Sequence, residues 1–326
     1  MSIQFLEDPK EMDPSEIAEL FSRAGIGRKR NLGSVAKAFQ NSSFALIAKA
    51  GGKTVASGRV ISDRRAWALM TDLAVLPEYQ ELGDELLERL ICRFRGQELF
   101  TWTCPDRIDF FERHGFRRSK NSFTYAGEKE AALDPMLPIE TFYLPVGYRF
   151  ESEFYPRAGK FPVGRKNPHP ADSLQAVFSE RSEEIDFTRL NEILTEAFGG
   201  RERDEAVTRE CFLNSPYVEY VHIGEKLVGC ARAESDGVLQ ALLLNVAIDP
   251  AYQGLRLGWE IVTRLAAQMK GQNIFLNTHP GGVGFYNRKG FRRNKTALVY
   301  PAHPDMPDEI ARGFMLPVGY RFVGEY

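Results

Sequence analysis

Residues 244–258 read LNVAIDPAYQGLRLG, and this stretch decides the fold class of the second half of the chain. Leu239–Ile248 is a nearly continuous apolar run, which is typical of a strand buried on both faces. A helix is predicted from about Leu257 to Met269. The stretch therefore indicates a buried strand, a tight turn and a helix in immediate succession.

The turn between this strand and this helix has the composition of an anion site. The first N–H groups of a helix have no acceptor within the helix, and the helix dipole is positive at that end, so a pyrophosphate is favoured there. Gly254 and Gly258 allow phosphate oxygens to approach the backbone closely, and Arg256 adds a charged donor.

Three motifs occur twice along the chain and in the same order, at offsets of 172, 175 and 173 residues. They are LPVGYRF at 144–150 and 316–322, the GFRR segments ending at Arg118 and Arg293, and the loop glutamines Gln80 and Gln253. Such agreement indicates a duplicated domain. For the repeated LPVGYRF tail we expect an aromatic strand packed on its own or the neighbouring domain, with a role in lining the acceptor site as the alternative.

The duplication predicts a first domain at 1–150 (the first half), a linker at 151–171 and a second domain at 172–326 (the second half). Residues 156–170 contain four prolines, two glycines, four basic residues and no acidic residue. This composition is typical of an extended connector rather than a helix or a central strand.

Both halves show the same predicted order of elements, with an antiparallel meander that leads into a mixed sheet. In the second half we predict a helix at Thr188–Phe198, a hairpin at Tyr217–Ile223 and Lys226–Ala233, and later strands at Asn273–Asn277 and Thr296–Tyr300. The fold class is therefore α/β.

Net charge and the positions of histidine and cysteine bear on which binding partners we expect. A formal net charge of -2 provides no long-range field for nucleic acid or an anionic membrane, so we expect neither as a partner. The five histidines and four cysteines are scattered, so we expect no metal site. The acidic N-terminal stretch is unlike a secretory signal, and we expect a cytoplasmic protein that is a monomer or a homodimer.

The second half resembles the GNAT superfamily of acyl-CoA-dependent N-acyltransferases. The family's pyrophosphate loop has the pattern Gln/Arg-x-x-Gly-x-Gly/Ala, whose ends match Gln253 and Gly258, while Arg256 replaces the middle glycine. A second family motif, FY-x-x-x-GF, is matched at 285–291. The resemblance covers most of 172–300 and, more loosely, 1–126. It implies two tandem GNAT-like domains, each a mixed, mostly antiparallel sheet flanked by helices, similar in plan to mycothiol synthase.

This resemblance implies acetyl-CoA as cosubstrate and a set of residues that bind it. Tyr286 is expected to protonate the departing thiolate, and strand amides near Val246 and Ile248 are expected to polarise the thioester carbonyl. The remaining cofactor-binding residues are expected to be Gln253, Gly254, Leu255, Arg256, Leu257, Gly258 and Asn277.

The base that accepts the amine proton is left open. Some family members carry a glutamate in the strand before the loop, but residues 241–244 read ALLL here. The candidates are Glu234, His279 and an ordered water.

The first half lacks two features of the second. Glu85 stands where the loop pattern expects glycine or alanine, within an acidic stretch, and Phe111 stands where the second half has Tyr286. Both losses predict a degenerate, structural first domain. We therefore expect an N-acetyltransferase that uses its second domain to acetylate a primary amine of a small molecule. The alternatives are a non-catalytic acyl-CoA-binding or assembly module, and a protein-lysine acetyltransferase.

Overall fold

The computed structural model describes residues 2–26, 30–127, 139–150, 175–180, 185–200, 202–302 and 314–322. The predicted linker at 151–171 lies outside these described residues. The chain divides into two compact units. Unit 1 comprises Met1–Tyr148, Ser235–Ala241 and Gly271–Tyr326, and unit 2 comprises Arg149–Glu234 and Leu242–Lys270. The units do not coincide with the two halves, because the last stretch of the second half belongs to unit 1.

The two halves contain the same elements in the same order. The first half has β1 (Ile3–Leu6), α1 (Pro14–Arg23), α2 (Leu32–Gln40), β2 (Phe44–Ala50), β3 (Lys53–Ser62), β4 (Trp67–Val75), α3 (Leu82–Arg93), β5 (Glu98–Trp102), α4 (Ile108–Arg113), β6 (Arg117–Arg118) and β7 (Ser122–Tyr125). The second half has β8 (Ala176–Ser179), α5 (Phe187–Ala197), α6 (Glu205–Asn214), β9 (Tyr217–Ile223), β10 (Lys226–Ser235), β11 (Gln240–Ile248), α7 (Leu257–Gln268), β12 (Asn273–Asn277), α8 (Val283–Arg288), β13 (Arg292–Arg293) and β14 (Ala297–Tyr300).

The strands form two seven-stranded sheets, which confirms the predicted α/β class with mixed sheets flanked by helices. The first sheet has the order β1-β2-β3-β4-β5-β14-β6 and lies wholly in unit 1. Its neighbours pair antiparallel except β4 and β5, which pair in parallel over Trp67–Leu69. Of the strands of the second sheet, β13, β7 and β12 belong to unit 1, and β8, β9 and β10 up to Glu234 belong to unit 2.

The helices begin where side chains satisfy their first N–H groups. Asp13 accepts a hydrogen bond from the Ser15 N–H at 2.8 Å, with Pro14 at the first helical position of α1. Asp186 accepts from the Arg189 N–H at 3.0 Å at the start of α5. The helix predicted at Thr188–Phe198 is present as α5, whose buried residues are Phe187, Leu190, Ile193 and Leu194, with Ala197 packed against the same cluster.

Each half gives its last strand to a sheet of the other half. β7 pairs with β12 and β13, and β14 pairs with β5 and β6, all antiparallel. All six strands belong to unit 1, which explains why the end of the second half lies there. The predicted strand at Thr296–Tyr300 is present as β14, but its pairing with the first half was not predicted.

Two buried arginines hold the exchanged segments. Arg118 donates from Nη1 to the Tyr320 carbonyl at 3.1 Å, and its guanidinium lies 4.7 Å from the ring centroid of Phe322. Its counterpart Arg293 donates to the Tyr148 carbonyl at 3.2 Å and to Asn121 Oδ1 at 2.8 Å. The second GFRR arginine of each half therefore binds the LPVGYRF tail of the other half.

The repeated tail is a turn and not the expected aromatic strand. The Tyr148 N–H donates to the Pro145 carbonyl at 3.0 Å, and the Tyr320 N–H donates to the Pro317 carbonyl at 3.1 Å. Gly147 and Gly319, third in these turns, have φ of 82° and 76°. A positive φ at this position is typical of a type II turn and favours glycine, which explains why Pro-Val-Gly-Tyr is kept in both copies.

Candidate functional site

The predicted anion-binding turn lies in unit 2, directly after β11. Asp249 is buried there, and its carboxylate accepts a hydrogen bond from the Ala251 N–H at 2.8 Å, which forms a short 3-10 turn at Pro250–Tyr252. Arg189 of α5 and Lys226 also pair with this carboxylate. The aspartate thus anchors the point where the strand ends.

The backbone then changes direction twice before α7 begins at Leu257. Gln253 is extended, Gly254 has φ of 89°, and Arg256 has φ of 61°. Among the described residues, no acceptor binds the N–H groups of Gly254, Leu255 and Arg256. Gly254 and Arg256 are exposed, while Leu257 is buried and holds the helix start against the core. The loop therefore has donors without an acceptor among the described residues, next to a helix N-terminus.

β11 is irregular at Asn245, the sixth of its nine residues. This residue has φ of 53°, a left-handed conformation that breaks the regular strand geometry. Asn245 Oδ1 accepts a hydrogen bond from Arg232 Nε at 2.6 Å. Val246 and Ile248, whose amides are expected to bind the thioester carbonyl, are half-buried in the same strand. Asn245 was not among the site residues predicted from the sequence.

Glu234, a candidate base, is buried at the end of β10 in unit 2. Its Oε1 accepts hydrogen bonds from Ser215 Oγ at 2.6 Å and from Arg232 Nη1 at 3.2 Å. The carboxylate is thus already paired with a cation and a hydroxyl. Its role as a base stays a prediction.

Tyr286, the candidate acid, lies on α8 in unit 1 and is 7% exposed. Its ring packs against Phe285 at 5.0 Å, Phe291 at 5.5 Å and Phe123 at 6.2 Å between centroids. Burial raises the pKa of the Tyr286 phenol above its usual range. The group therefore holds its proton at neutral pH, as an acid must.

Asn277 is the last residue of β12 and His279 lies two residues later, both in unit 1. Ser119 Oγ donates to Asn277 Oδ1 at 3.4 Å. His279 Nδ1 accepts from the Gly281 N–H at 3.0 Å, and burial lowers the pKa of its imidazole. In this geometry neutral His279 carries its proton on Nε2, so the nitrogen that could accept a proton is already bonded.

The predicted site residues divide between the two units. Glu234, Val246, Ile248 and the loop at 253–258 lie in unit 2, and Asn277 and Tyr286 lie in unit 1. No group of three or more metal-binding side chains occurs within the ranges that the structure describes, and no helix in those ranges is long and apolar enough to cross a membrane.

The turn of the first half differs from this loop in length and conformation. α3 begins at Leu82, so Gly83 is its second residue, as Gly258 is the second residue of α7. Gln80 and Glu81 are both helical, and the stretch contains no positive φ between Pro77 and Leu82. From the proline after the strand to the first residue of the helix, the chain runs from Pro77 to Leu82 in the first half and from Pro250 to Leu257 in the second. The first-half turn is therefore two residues shorter.

Because of this difference in length, the structural counterpart of Gly258 is Gly83, and the prediction that Glu85 occupies this position was wrong. Glu85 is the fourth residue of α3 and is partly exposed, and its carboxylate pairs with Arg89 at 2.7 Å. Other side chains cover the helix start instead. Asp84 binds Arg113 at 3.0 Å and His114 at 3.2 Å, and the ring of Phe110 lies 3.4 Å from where a side chain on Gly83 would begin.

The chain is similar in sequence to one known domain family and to several known proteins. The model of the acetyltransferase (GNAT) domain matches residues 216–293, which span β9 to β13 and contain every predicted site residue. GCN5-related N-acetyltransferase 1, chloroplastic, from Arabidopsis thaliana is 34% identical over 145 residues, covering 40% of this chain and 73% of that protein.

Two further matches cover a shorter stretch of sequence or have a lower sequence identity. Serotonin N-acetyltransferase 2, chloroplastic, from Oryza sativa subsp. japonica is 40% identical over 74 residues, covering 22% of this chain. The chain spans 37% of the length of that protein. The GCN5-related glucosamine N-acetyltransferase region of a fungal multi-domain GH3 beta-N-acetylglucosaminidase has a TM-score of 0.51 at 10% identity, covering 91% of this chain and 38% of that one. The last likeness shows the fold alone.

The repeated element order, the loop after β11 and the 34% sequence identity over 73% of the Arabidopsis protein lead to the same family. The chain belongs to the GCN5-related N-acetyltransferase (GNAT) family.

Proposed function

We propose that the chain transfers an acetyl group from acetyl-CoA to a primary amine of a small molecule, and that the second half binds the cofactor. The observation that carries this proposal is the loop at 253–258 at the start of α7, where the N–H groups of Gly254, Leu255 and Arg256 have no acceptor among the described residues. The first half, whose corresponding turn is helical and covered, is proposed to be structural.

The loop offers the cofactor three kinds of interaction. The N–H groups of the loop and of the first turn of α7 would bind the pyrophosphate, each favourable charge–dipole contact contributing about 0.3–1 kcal/mol. Arg256 adds a guanidinium beside them. Amides near Val246 and Ile248 would donate to the thioester oxygen, where negative charge grows during attack.

The chemistry requires one attack and two proton transfers. The amine lone pair forms the C–N bond at the thioester carbonyl, the C–S bond breaks, and the thiolate takes the proton of the Tyr286 hydroxyl. The proton that the amine nitrogen releases to water then returns through solvent to the phenolate and restores the acid. A phenol of pKa about 10 loses roughly 2 kcal/mol in giving a proton to a thiolate whose acid has a pKa of about 8.5. Burial of Tyr286 adds to this difference, so the transfer depends on a thiolate that is itself poorly solvated.

The amine must also lose a proton. Glu234 is bound to Arg232 and Ser215, and His279 Nδ1 is bound to Gly281, so we assign this step to water. Glu234→Gln tests the choice. It should leave the pH profile of kcat unchanged if water is the base, and should abolish turnover if Glu234 is.

The proposed class of acceptor amine is supported by the name of one relative. The rice relative is a serotonin N-acetyltransferase, and serotonin is a small arylalkylamine. We propose an amine of this size for the present chain. Both plant relatives are chloroplastic by name, so the cytoplasmic location expected here stays a prediction, as do the oligomeric states.

Calorimetric titration of acetyl-CoA tests whether the second half alone binds the cofactor. We expect one binding site per chain, lost in Gly258→Glu and kept in Gly83→Glu, a matched variant at the second residue of the other helix. Two sites, or one that survives Gly258→Glu, would show that the assignment to the second half is wrong.

Turnover is then measured by thiol release with serotonin, spermidine and a lysine peptide as acceptor probes. Tyr286→Phe should lower kcat at least tenfold while acetyl-CoA affinity is kept. Binding without release for any amine would favour the non-catalytic alternative. Release with the peptide alone would favour protein lysine as the acceptor.

A further inference from the structure

A strand of the first half lies directly beside the elements that carry Tyr286 and Asn277. β7 is inserted between β12 and β13, with Ser122 opposite Asn277, and Phe123 opposite both Leu276 and Arg293. The turn before β7 touches the same strand end, because the Asn121 carbonyl accepts the Thr278 N–H at 3.0 Å. The described part of unit 1 thus joins first-half residues to predicted site residues of the second half.

Phe123 is the member of this strand that reaches Tyr286. Its side chain is fully buried, and its ring centroid lies 6.2 Å from that of Tyr286 with an interplanar angle of 37°. The guanidinium of Arg293 lies 5.9 Å from the same Phe123 ring. Phe285 and Phe291 also pack on Tyr286, but both belong to the second half.

The first half provides an internal comparison at the same positions. There Phe111 corresponds to Tyr286, and Leu298 of the exchanged β14 corresponds to Phe123. Leu298 is fully buried in the same cluster as Phe111 and Phe116. The copy that keeps the phenol therefore has an aromatic ring on its exchanged strand, and the copy that lost the phenol has an aliphatic side chain there.

A tyrosine that donates a proton needs a fixed ring, because a misplacement of about 1 Å can cost on the order of a hundredfold in rate. Aromatic walls on several sides restrict both torsions of the side chain and exclude water from the hydroxyl. We propose that Phe123 is a positioning residue for Tyr286. The first half then takes part in the reaction because it contributes β7 to the surroundings of Tyr286. This inference rests on the proposed role of Tyr286 as the acid.

The positioning is measured without any acceptor by ¹⁹F NMR of protein labelled with 3-fluorotyrosine. Among the twelve tyrosines, the resonance that disappears in Tyr286→Phe belongs to Tyr286. Phe123→Leu, which copies the other half, should broaden or shift this resonance and lower the pKa at which it titrates, because water reaches the hydroxyl. Leu298→Val, a matched change on β14, should leave it unchanged.

The kinetic test is a double-mutant cycle with the best acceptor probe of the panel above. Phe123→Leu should lower kcat about tenfold with the KM for acetyl-CoA unchanged, and should move the alkaline limb of the kcat profile to lower pH. In a Tyr286→Phe background the same substitution should have no further effect. Phe123→Met provides a second variant if the leucine variant unfolds.

The outcomes separate the two proposals. If Tyr286→Phe leaves kcat unchanged, the assignment of the acid fails. If Tyr286→Phe lowers kcat but Phe123→Leu changes neither the ¹⁹F resonance nor kcat, the positioning role is overturned while the acid stands. An equal effect of Phe123→Leu in both backgrounds would also overturn it, because a merely structural residue acts independently of Tyr286.

Discussion

Replacing Asp72 with asparagine removes a buried carboxylate that two arginines enclose in unit 1. Arg30 Nη1 lies 2.7 Å from Asp72 Oδ1, and Arg59 Nε lies 2.5 Å from Oδ2. Burial alone would raise the pKa of Asp72, but Arg30 and Arg59 outweigh burial and lower it from 3.8 to about 2. Asp72 has φ of 56°, and its counterpart Asn245 has φ of 53°, so asparagine fits the backbone and the substitution isolates the charge.

The lowered pKa corresponds to about 2 kcal/mol of stability at pH 7. This contribution is present above the unfolded pKa, near 4, and is lost as the pH falls through the folded value near 2, with about half remaining at pH 3. Arg59 keeps a second partner, Asp236, at 2.8 Å, while Arg30 loses the carboxylate it binds. We therefore expect Asp72→Asn to cost about 2–4 kcal/mol at pH 7 and clearly less at pH 3.

Guanidinium denaturation in a Trp259→Phe background provides the assay. The chain has three tryptophans, and the remaining two, Trp67 and Trp102, both lie in unit 1, so fluorescence reports that unit. Asp84→Asn in the same unit is the control, because it removes an exposed carboxylate that lies 3.0 Å from Arg113, and it should change the free energy of unfolding by less than about 1 kcal/mol. A cost below about 1 kcal/mol for Asp72→Asn, or a cost that does not depend on pH, would refute the reasoning.

Three further predictions follow from other described contacts. Trp259 is 39% exposed in the first turn of α7, so acetyl-CoA should change the tryptophan emission of the wild type and not that of Trp259→Phe; a response kept in the variant would place the ligand elsewhere. Burial raises the pKa of Glu219 to about 7 although Arg264 opposes it, so ionisation destabilises the fold as the pH rises from about 4.5 through 7. Glu219→Gln should therefore raise the melting temperature at pH 8 and not at pH 5, and an equal rise at both values would contradict this. Arg118→Met should cost about 1–3 kcal/mol in chemical denaturation, because it leaves the half-buried carbonyls of Tyr320 and Lys295 without this donor; a cost near zero would show that the arginine is not needed there.

The candidate cofactor loop was predictable from sequence because its determinants are local. The apolar run of β11, the proline after it, the glycine of the turn and the apolar spacing of α7 all lie within 30 residues. Each acts through its own backbone or through neighbours a few residues away. The register of the first-half turn was also encoded, since the motif offset changes from 173 at Gln80 to 175 at Phe116, and that change reveals a two-residue difference between the loops.

The sequence by itself thus determined the repeat, the order of elements and the position of the loop, because hydrophobic period and turn chemistry are properties of adjacent residues. Only the tertiary structure decided which sheet each final strand joins. The segments β7 and β14 are similar short strands, each with three successive buried residues, that can satisfy their N–H and C=O groups at either of two equivalent sheets, and no local signal distinguishes them. The choice is made by contacts between residues more than 140 positions apart, such as Arg293 with Tyr148 and Arg118 with Tyr320, which no local pattern contains.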